Sequence, residues 1–442
     1  MSQHVLRSAS VPVGSSRWVG VRGWVPLGLM RAADAIGAAS RRSGRGAGGT
    51  LPGRFLLQVR PSLFADLLQR RPVVLVSGTN GKTTTTALLA AALSAQPGRQ
   101  LVTNVGGDNL LAGLLTALLG DRHGESTAVL EVDERVLPVA LEAAPRAVVV
   151  LLNLTRDQLD RYSEVSLHKA AWSSALAQAP GSTIIANADD PLIVAAVRVA
   201  RPEETRVIWV AAGHAWRRDA VLCPFCHGLW DAQAVPWSCD ACGQRAPEVD
   251  WVLRDGAVQR HGKAPVPLQL ALPGRAATMN AVMALATAAT LGVPVDAALP
   301  HMQCVAEVGG RYRMSNVRGH DIRLLLAKNP AGWTEVLQQI VEESTAPVLI
   351  GINARAADGA DASWLWDVPF EQLTGRPVVA FGERRLDLST RLEYAGVAHD
   401  VAPSLTDALL LPLGGTPLVV ANYTAFVQAR RELAAAAVIT VG

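Results

Sequence analysis

At 442 residues and a net charge of only +3, the chain has room for two or three domains that each bury a core, and its overall charge singles out no polyanionic partner. Half of its residues are hydrophobic, yet no uninterrupted apolar run reaches the roughly 18 residues needed to cross a bilayer. The N-terminus lacks the charged, apolar and cleavage regions of a secretory signal, which predicts a cytoplasmic protein.

Residues 1–60 hold nine arginines and a single acid, Asp34, so the rest of the chain is net negative. Such an arm suits an anionic membrane face, nucleic acid or simply solvent. Helical apolar spacing runs from Trp24 to Ala39, and a Ser/Gly/Arg linker covers Arg41–Gly53. Residues 1–53 therefore read as a basic leader, a helix and a linker. The apolar run Val73–Val76 then predicts a buried strand, followed by Gly78-Thr79-Asn80-Gly81-Lys82-Thr83 and an Ala/Leu-rich helix from Thr84 to Leu93. Strand, glycine turn and helix together form a phosphate cradle, because glycines let backbone N–H groups approach phosphate oxygens at a positive helix end. Lys82 supplies a point charge for the β- and γ-phosphates and Thr83 a hydroxyl for Mg²⁺. Val76 stands where the usual motif has its first glycine, and this shortened form is typical of the Mur ligase superfamily. ATP is the expected ligand.

Further strands at Ala128–Val132, Ala147–Leu152, Thr183–Ala186 and Val207–Val210 alternate with helical segments, which predicts a largely parallel sheet. Glu131, at the end of the Ala128–Val132 strand, is expected to hold Mg²⁺ opposite Thr83, with Glu134 a weaker candidate. Polar turns recur after strands: Asn104–Asn109, Asn153–Tyr162, and Asn187-Ala188-Asp189-Asp190-Pro191. Turns at the carboxyl edge of a parallel sheet face the ligand crevice, so they are candidates for nucleotide and acceptor binding. Residues 213–262 break the pattern and read as an insertion. Within it, Cys223-x2-Cys226 and Cys239-x2-Cys242 present four thiolates at the spacing of a structural zinc ribbon. Cys304 remains, read as a small buried residue. A helix is expected at Ala276–Leu291, and a second α/β alternation has strands near Arg323–Leu326, Val348–Ile352, Val378–Phe381 and Leu418–Ala421.

From about Arg41 onward the chain resembles the MurT family, the Mur-ligase-like subunits of lipid II isoglutaminyl synthase. The resemblance rests on Gly78–Thr86, Thr103–Asn109, Asp157–Tyr162, the four-cysteine insertion, Lys328-Asn329-Pro330-Ala331-Gly332-Trp333, and the segment Ala357–Asp367. It implies an α/β fold: a Mur-ligase-type P-loop central domain over 54–312 with the zinc-ribbon insertion, then a smaller Rossmann-like C-terminal domain over 313–442. It implies an ATP- and Mg²⁺-dependent ligase that amidates the α-carboxylate of D-glutamate in lipid II, in peptidoglycan synthesis, with ammonia from a GatD-like glutaminase partner. Lipid II would be met at the inner membrane face, and no nucleic acid is expected, since Asp231, Asp240, Glu248 and Asp250 offset the ribbon's basic residues. A Mur or folylpolyglutamate-type ligase that adds an amino acid is the alternative.

By the same resemblance, Gly78, Thr79, Asn80, Gly81, Lys82, Thr83 and Thr84 cradle the phosphates, Lys82 and Glu131 serve catalysis, and Arg311 is a further phosphate contact. Asn280 matches the asparagine that reads adenine, and Asn187 and Asp190 match residues near the nucleotide. An aspartate of the 357–367 segment would orient the partner's catalytic histidine; Asp361 is preferred to Asp358, and Asp367 ranks third. Leu325 replaces the relatives' acidic ribose contact, with Lys328 nearby as a phosphate contact. Gln158 replaces a metal-binding histidine, and Lys169 lies out of register with the relatives' carbamylated lysine.

Overall fold

Val73–Ser77 (β1) is buried at every position. Such a strand needs apolar layers on both sides, and the rest of the domain supplies them. The computed structural model describes Ala35 and residues 50–439, except 105–106, 122–124, 157–163, 214–218, 232–233, 309–311 and 318–319. The first 49 residues of the Arg-rich arm, with the helix expected at Trp24–Ala39, therefore lie outside the described residues, apart from Ala35, which is helical.

In chain order the first domain comprises α1 (Leu51–Val59), α2 (Leu63–Leu68), β1, α3 (Lys82–Ser94), β2 (Leu101–Thr103), α4 (Leu111–Leu118), β3 (Thr127–Glu131), α5 (Leu137–Ala143) and β4 (Val148–Leu151). It continues through α6 (Glu164–Gln178), β5 (Thr183–Asn187), α7 (Pro191–Ala200), β6 (Val207–Ala211), β7 (Trp251–Arg254), β8 (Ala257–Arg260), β9 (Val266–Pro267), α8 (Arg275–Thr290) and α9 (Val295–Gln303). The sheet order is β2-β3-β1-β4-β5-β6-β7-β8-β9, parallel from β2 to β7 and antiparallel beyond. Successive residues of β1 feed opposite cores. Leu75 joins Leu56, Leu114, Leu137 and Trp172 on one face, while Val74 and Val76 join Leu88, Met283 and Met302 on the other. β3 and β4 flank β1, so the chain leaves β1 at the point where strand order reverses, which is where open α/β sheets bind ligands.

The segment expected as one insertion divides in two. Trp251 and Val258 are buried in the sheet's second core, so 251–260 are strands of the main sheet, with Val210 paired to Trp251. The four cysteines fall before them. Cys304, expected to be buried, is exposed: it caps the C-terminus of α9, its Sγ 3.3 Å from Pro300 O, where the helix has stopped contributing to the core.

The second domain has β10 (Tyr312–Val317), β11 (His320–Leu326), α10 (Pro330–Glu343), β12 (Val348–Gly351), β13 (Val378–Phe381), α11 (Arg385–Tyr394), β14 (His399–Val401), α12 (Leu405–Ala408), β15 (Leu418–Ala421) and α13 (Tyr423–Ile439). Its sheet runs β10-β11-β15-β12-β13-β14, with only the β10–β11 pair antiparallel. Short 3₁₀ turns at Ser363–Asp367 and Phe370–Leu373 follow β12. Trp333 of α10 packs against Trp364 and Phe370 at centroid distances of 6.1 and 5.9 Å, which fixes those turns against the helix. Among the described residues no helix is long and apolar enough to cross a membrane.

Candidate active site

The loop between β1 and α3 is pressed between two elements, and this is why its glycines matter. Gly78 has φ +146°, and a Cβ there would lie 2.8 Å from Leu152 Cβ; Gly81 has φ +86°, with Asn280 Oδ1 at 2.4 Å from the same construction. A side chain at Gly78 would meet the residues that follow β4, one at Gly81 would displace the Asn280 amide, and both backbones hold φ values that L-residues rarely adopt. Asn153, just beyond β4, braces the loop with both ends of its amide: Oδ1 accepts Asn80 N–H at 2.9 Å and Nδ2 donates to Asn80 O at 3.0 Å. Thr79 is held likewise, its N–H on Asn153 O and its hydroxyl donating to Thr155 O.

Lys82 opens α3 and is buried. Its ammonium donates to Gly78 O at 2.5 Å, to Thr79 O at 3.2 Å and to Glu134 Oε2 at 3.0 Å. Glu131 ends β3 and is 2 % exposed. Its backbone exchanges two hydrogen bonds with the Asn104 amide, at 2.7 and 2.8 Å, and Asn109 Nδ2 stands 3.5 Å from Oε1. Oε2 is buried without a hydrogen-bond partner. A buried carboxylate oxygen left over in this way is a ready acceptor for a cation or an ordered water.

These groups line a cleft of about 310 Å³ that both domains share. The first domain contributes Lys82, Thr83 and Glu131; the second contributes Lys328 after β11, Gly332 on α10 and Tyr423 at the start of α13. Lys328 Nζ lies 5.3 Å from the Tyr423 ring centroid. Across the boundary, Asn80 and Asn329 exchange amide hydrogen bonds, Asn329 Nδ2 donating to Asn80 Oδ1 at 3.0 Å and Asn80 Nδ2 to Asn329 Oδ1 at 3.3 Å. Asn329 also caps α10 by accepting Gly332 N–H at 2.9 Å. Arg156 makes a second bridge, to Asp219 of its own domain and to Asp367 Oδ2 at 3.4 Å. Sequence reasoning missed both clasps; the only signal was that Asn80, Asn329 and Asp367 each sat in a motif.

The other expected residues are placed as follows. Asn280 abuts Gly81, and Thr84 lies in the first turn of α3. Asn187 and Asp190 are buried under the strand ends: Asn187 Nδ2 donates to Leu152 O, and Asp190 accepts N–H groups of Leu154, Leu192 and Ile193. Arg311, Val105, Gly106 and 157–162, including Gln158, lie outside the described residues. Lys169 donates to Pro224 O at 3.1 Å, which directs it to the cysteine segment, and burial holds its pKa down.

Burial pushes Asp190 up to about 6, with three backbone donors opposing the shift only in part. The folded state thus favours the neutral acid. The stability this group contributes is full below the unfolded value of 3.8 and is lost as pH rises through about 6. Asp190→Asn should flatten that part of the stability profile, as read by thermal melts between those limits.

The four cysteines converge, their sulfurs within 4.8 Å of one another. Cys223–Cys242 and Cys226–Cys239 stand 3.7 and 3.8 Å apart. Four thiolates about 2.3 Å from a tetrahedral Zn²⁺ are separated by about 3.8 Å, so the cluster is compatible with zinc. Trp237, buried between the knuckles and the domain, donates to Ala188 O at 2.9 Å and ties the ribbon to the end of β5.

The three candidate acids of the 357–367 segment differ. Asp358 is buried and accepts Thr424 N–H at 2.8 Å, the Thr424 hydroxyl and Arg355 N–H at 3.2 Å. Asp367 is engaged by Arg156. Asp361 is exposed, and the Ser363 N–H at 2.8 Å holds it below the usual carboxylate range.

Residues 76–222 match the Mur ligase middle domain and residues 326–426 the MurT ligase C-terminal domain. A relative in Streptococcus pneumoniae, named as the MurT subunit of a glutamine-hydrolysing lipid II isoglutaminyl synthase, is 28 % identical over 425 residues, 89 % of this chain and 94 % of that protein. A protein of the same name in Staphylococcus aureus is 26 % identical over 440 residues, 93 % of this chain and 98 % of the relative. Among solved structures, a pseudomurein peptide ligase type C from Methanothermus fervidus superposes with a TM-score of 0.63 at 17 % identity, covering 83 % of this chain and 80 % of that one. The fold is that of the Mur ligases.

Proposed function

We infer that this chain, a Mur-ligase-fold protein of the MurT type, is the ATP-consuming subunit of an enzyme that amidates the α-carboxylate of D-glutamate in lipid II. The observation that carries the reading is the shared cleft, in which Lys82 and the unsatisfied Glu131 oxygen face Lys328 across the domain boundary. A carboxylate is a poor electrophile, because displacement would expel an oxide. Transfer of the γ-phosphoryl group of ATP to a carboxylate oxygen turns that oxygen into a leaving group. Ammonia then attacks the acyl carbon: a C–N bond forms, the C–O bond to phosphate breaks, and the nitrogen sheds a proton.

The chain's part in this is positioning and charge. Loop N–H groups and Lys82 take phosphate oxygens, and Lys328 closes on them from the other domain. Thr83 and Glu131 would hold Mg²⁺, which when bound offsets charge on the phosphates; the orphaned Glu131 Oε2 fits that use. Asn280, which packs against Gly81, would read the base, while Asn187 and Asp190 would act by fixing the strand ends beneath the loop. The Asn80–Asn329 clasp holds the two halves of the cleft in register. Ammonia comes from a GatD-like glutaminase subunit docked beside Asp361.

The test is mass spectrometry of lipid II incubated with this protein, a co-expressed glutaminase subunit, ATP, Mg²⁺ and glutamine. The expected product carries NH₂ in place of OH. ATP hydrolysis with a mass gain matching an added amino acid would instead place the chain among the amino-acid-adding ligases.

The cysteine cluster serves as a structural zinc site, since four protein thiolates leave no open position. Purified protein should contain stoichiometric zinc by elemental analysis. Cys239→Ser or a strong chelator should remove it and shift tryptophan emission to the red as Trp237 loosens, because structural zinc binding is worth on the order of 10 kcal/mol.

A further inference from the structure

The ammonium of Lys82 has three N–H bonds, and all three are taken: Gly78 O, Thr79 O and Glu134 Oε2. Two of these acceptors are loop carbonyls. The third is a side-chain anion, on the one N–H that the loop carbonyls do not hold. The pair is secluded, with the two side chains 8 % and 12 % exposed, so solvent screens it little. Glu134 lies in the turn after β3, and its backbone is anchored separately: Trp172, fully buried, donates its indole N–H to Glu134 O at 2.9 Å. The carboxylate can therefore leave Lys82 by side-chain rotation while its backbone stays in place.

We propose that Glu134 is an internal stand-in for phosphate. It neutralises Lys82 when the cradle is empty, and an incoming nucleotide must displace it. Nucleotide binding is then an exchange of one anion for another on the same ammonium. The exchange keeps a buried lysine from standing unpaired between turnovers, and it lowers affinity, which favours release of the spent nucleotide. This proposal rests on the reading of the loop as a nucleotide cradle and adds a role to a residue outside that cradle.

Asp133 supplies the control. It lines the same cleft and carries the same charge, but its carboxylate is bonded to Arg135, at 3.0 Å, instead of Lys82. Calorimetric titration with ADP in EDTA, where no metal bridges the groups, should show Glu134→Gln binding between about five- and thirty-fold more tightly than the parent, the factor that one lost competing ion pair implies. Asp133→Asn should change affinity much less, and AMP, too short to reach Lys82, should bind all three proteins alike. In thermal melts Glu134→Gln should lower the midpoint of the nucleotide-free protein, with a larger rise on adding ADP. Unchanged ADP affinity in Glu134→Gln, or an equal gain in Asp133→Asn, would overturn the proposal, the latter by reducing the effect to general repulsion. If the folded parent protein itself failed to bind ADP, the cradle reading would fail first.

Discussion

Lys82→Ala should reduce lipid II amidation by roughly 10²–10³-fold or more, the usual cost of deleting one preorganised charge at a transferring group. The loss should appear equally with glutamine and with added ammonium as nitrogen source, because Lys82 acts on the phosphoryl group that both routes share. The fold should survive. Lys82 does not pack a core; its contacts are two loop carbonyls and Glu134. The substitution nevertheless leaves Glu134 secluded and unpaired, so a small fall in melting temperature should accompany it. Combining Lys82→Ala with Glu134→Gln removes both charges, and the double variant should recover the stability while remaining inactive. Arginine would not rescue activity: its planar fork cannot fit a pocket shaped by Gly78 O and Thr79 O around a compact ammonium. Retained amidation in Lys82→Ala would take the loop out of the mechanism.

What could be read from the sequence was local. β1, the glycine loop and α3 were legible because an apolar strand, two glycines and an Ala/Leu helix are consecutive, and each enforces the next. The convergence of the four cysteines was legible because the spacing of two C-x2-C pairs survives any detail of the surrounding fold. β7 and β8 were hidden: Trp251 and Val258 sit among Cys, Pro and charged residues, and only their pairing with β6 shows that they belong to the main sheet. The pairing of Asn80 with Asn329 and of Arg156 with Asp367 depends on how two sheets meet, and that of Lys82 with Glu134 on which strands lie side by side in one sheet; no periodicity encodes either. Cys304 shows the opposite limit, since composition favours burial for a free cysteine but the end of α9 leaves it at the surface.

Asp361→Asn should cut glutamine-supported amidation by roughly 10³–10⁴-fold, the scale on which a catalytic histidine suffers when its orienting carboxylate becomes an amide. Ammonium-supported amidation should be unchanged, because the synthetase cleft contains no part of this residue. The argument is one of availability. Asp358 spends both oxygens inside the domain, on Thr424 and Arg355, and Asp367 is engaged by Arg156 in the clasp between domains. Asp361 alone of the three leaves its carboxylate exposed to solvent, and the Ser363 N–H holds it below the usual carboxylate range and fixed. A partner histidine that lacks its own acid would find there a charged, oriented acceptor for its Nδ1 proton. Asp358 provides the contrast. Asp358→Ala strands the Thr424 and Arg355 N–H groups, at about 1–3 kcal/mol for each buried donor, so both activities and the melting temperature should fall together. If Asp361→Asn lost both activities in the same proportion, its role would be structural and the partner's histidine would have to take its carboxylate from elsewhere.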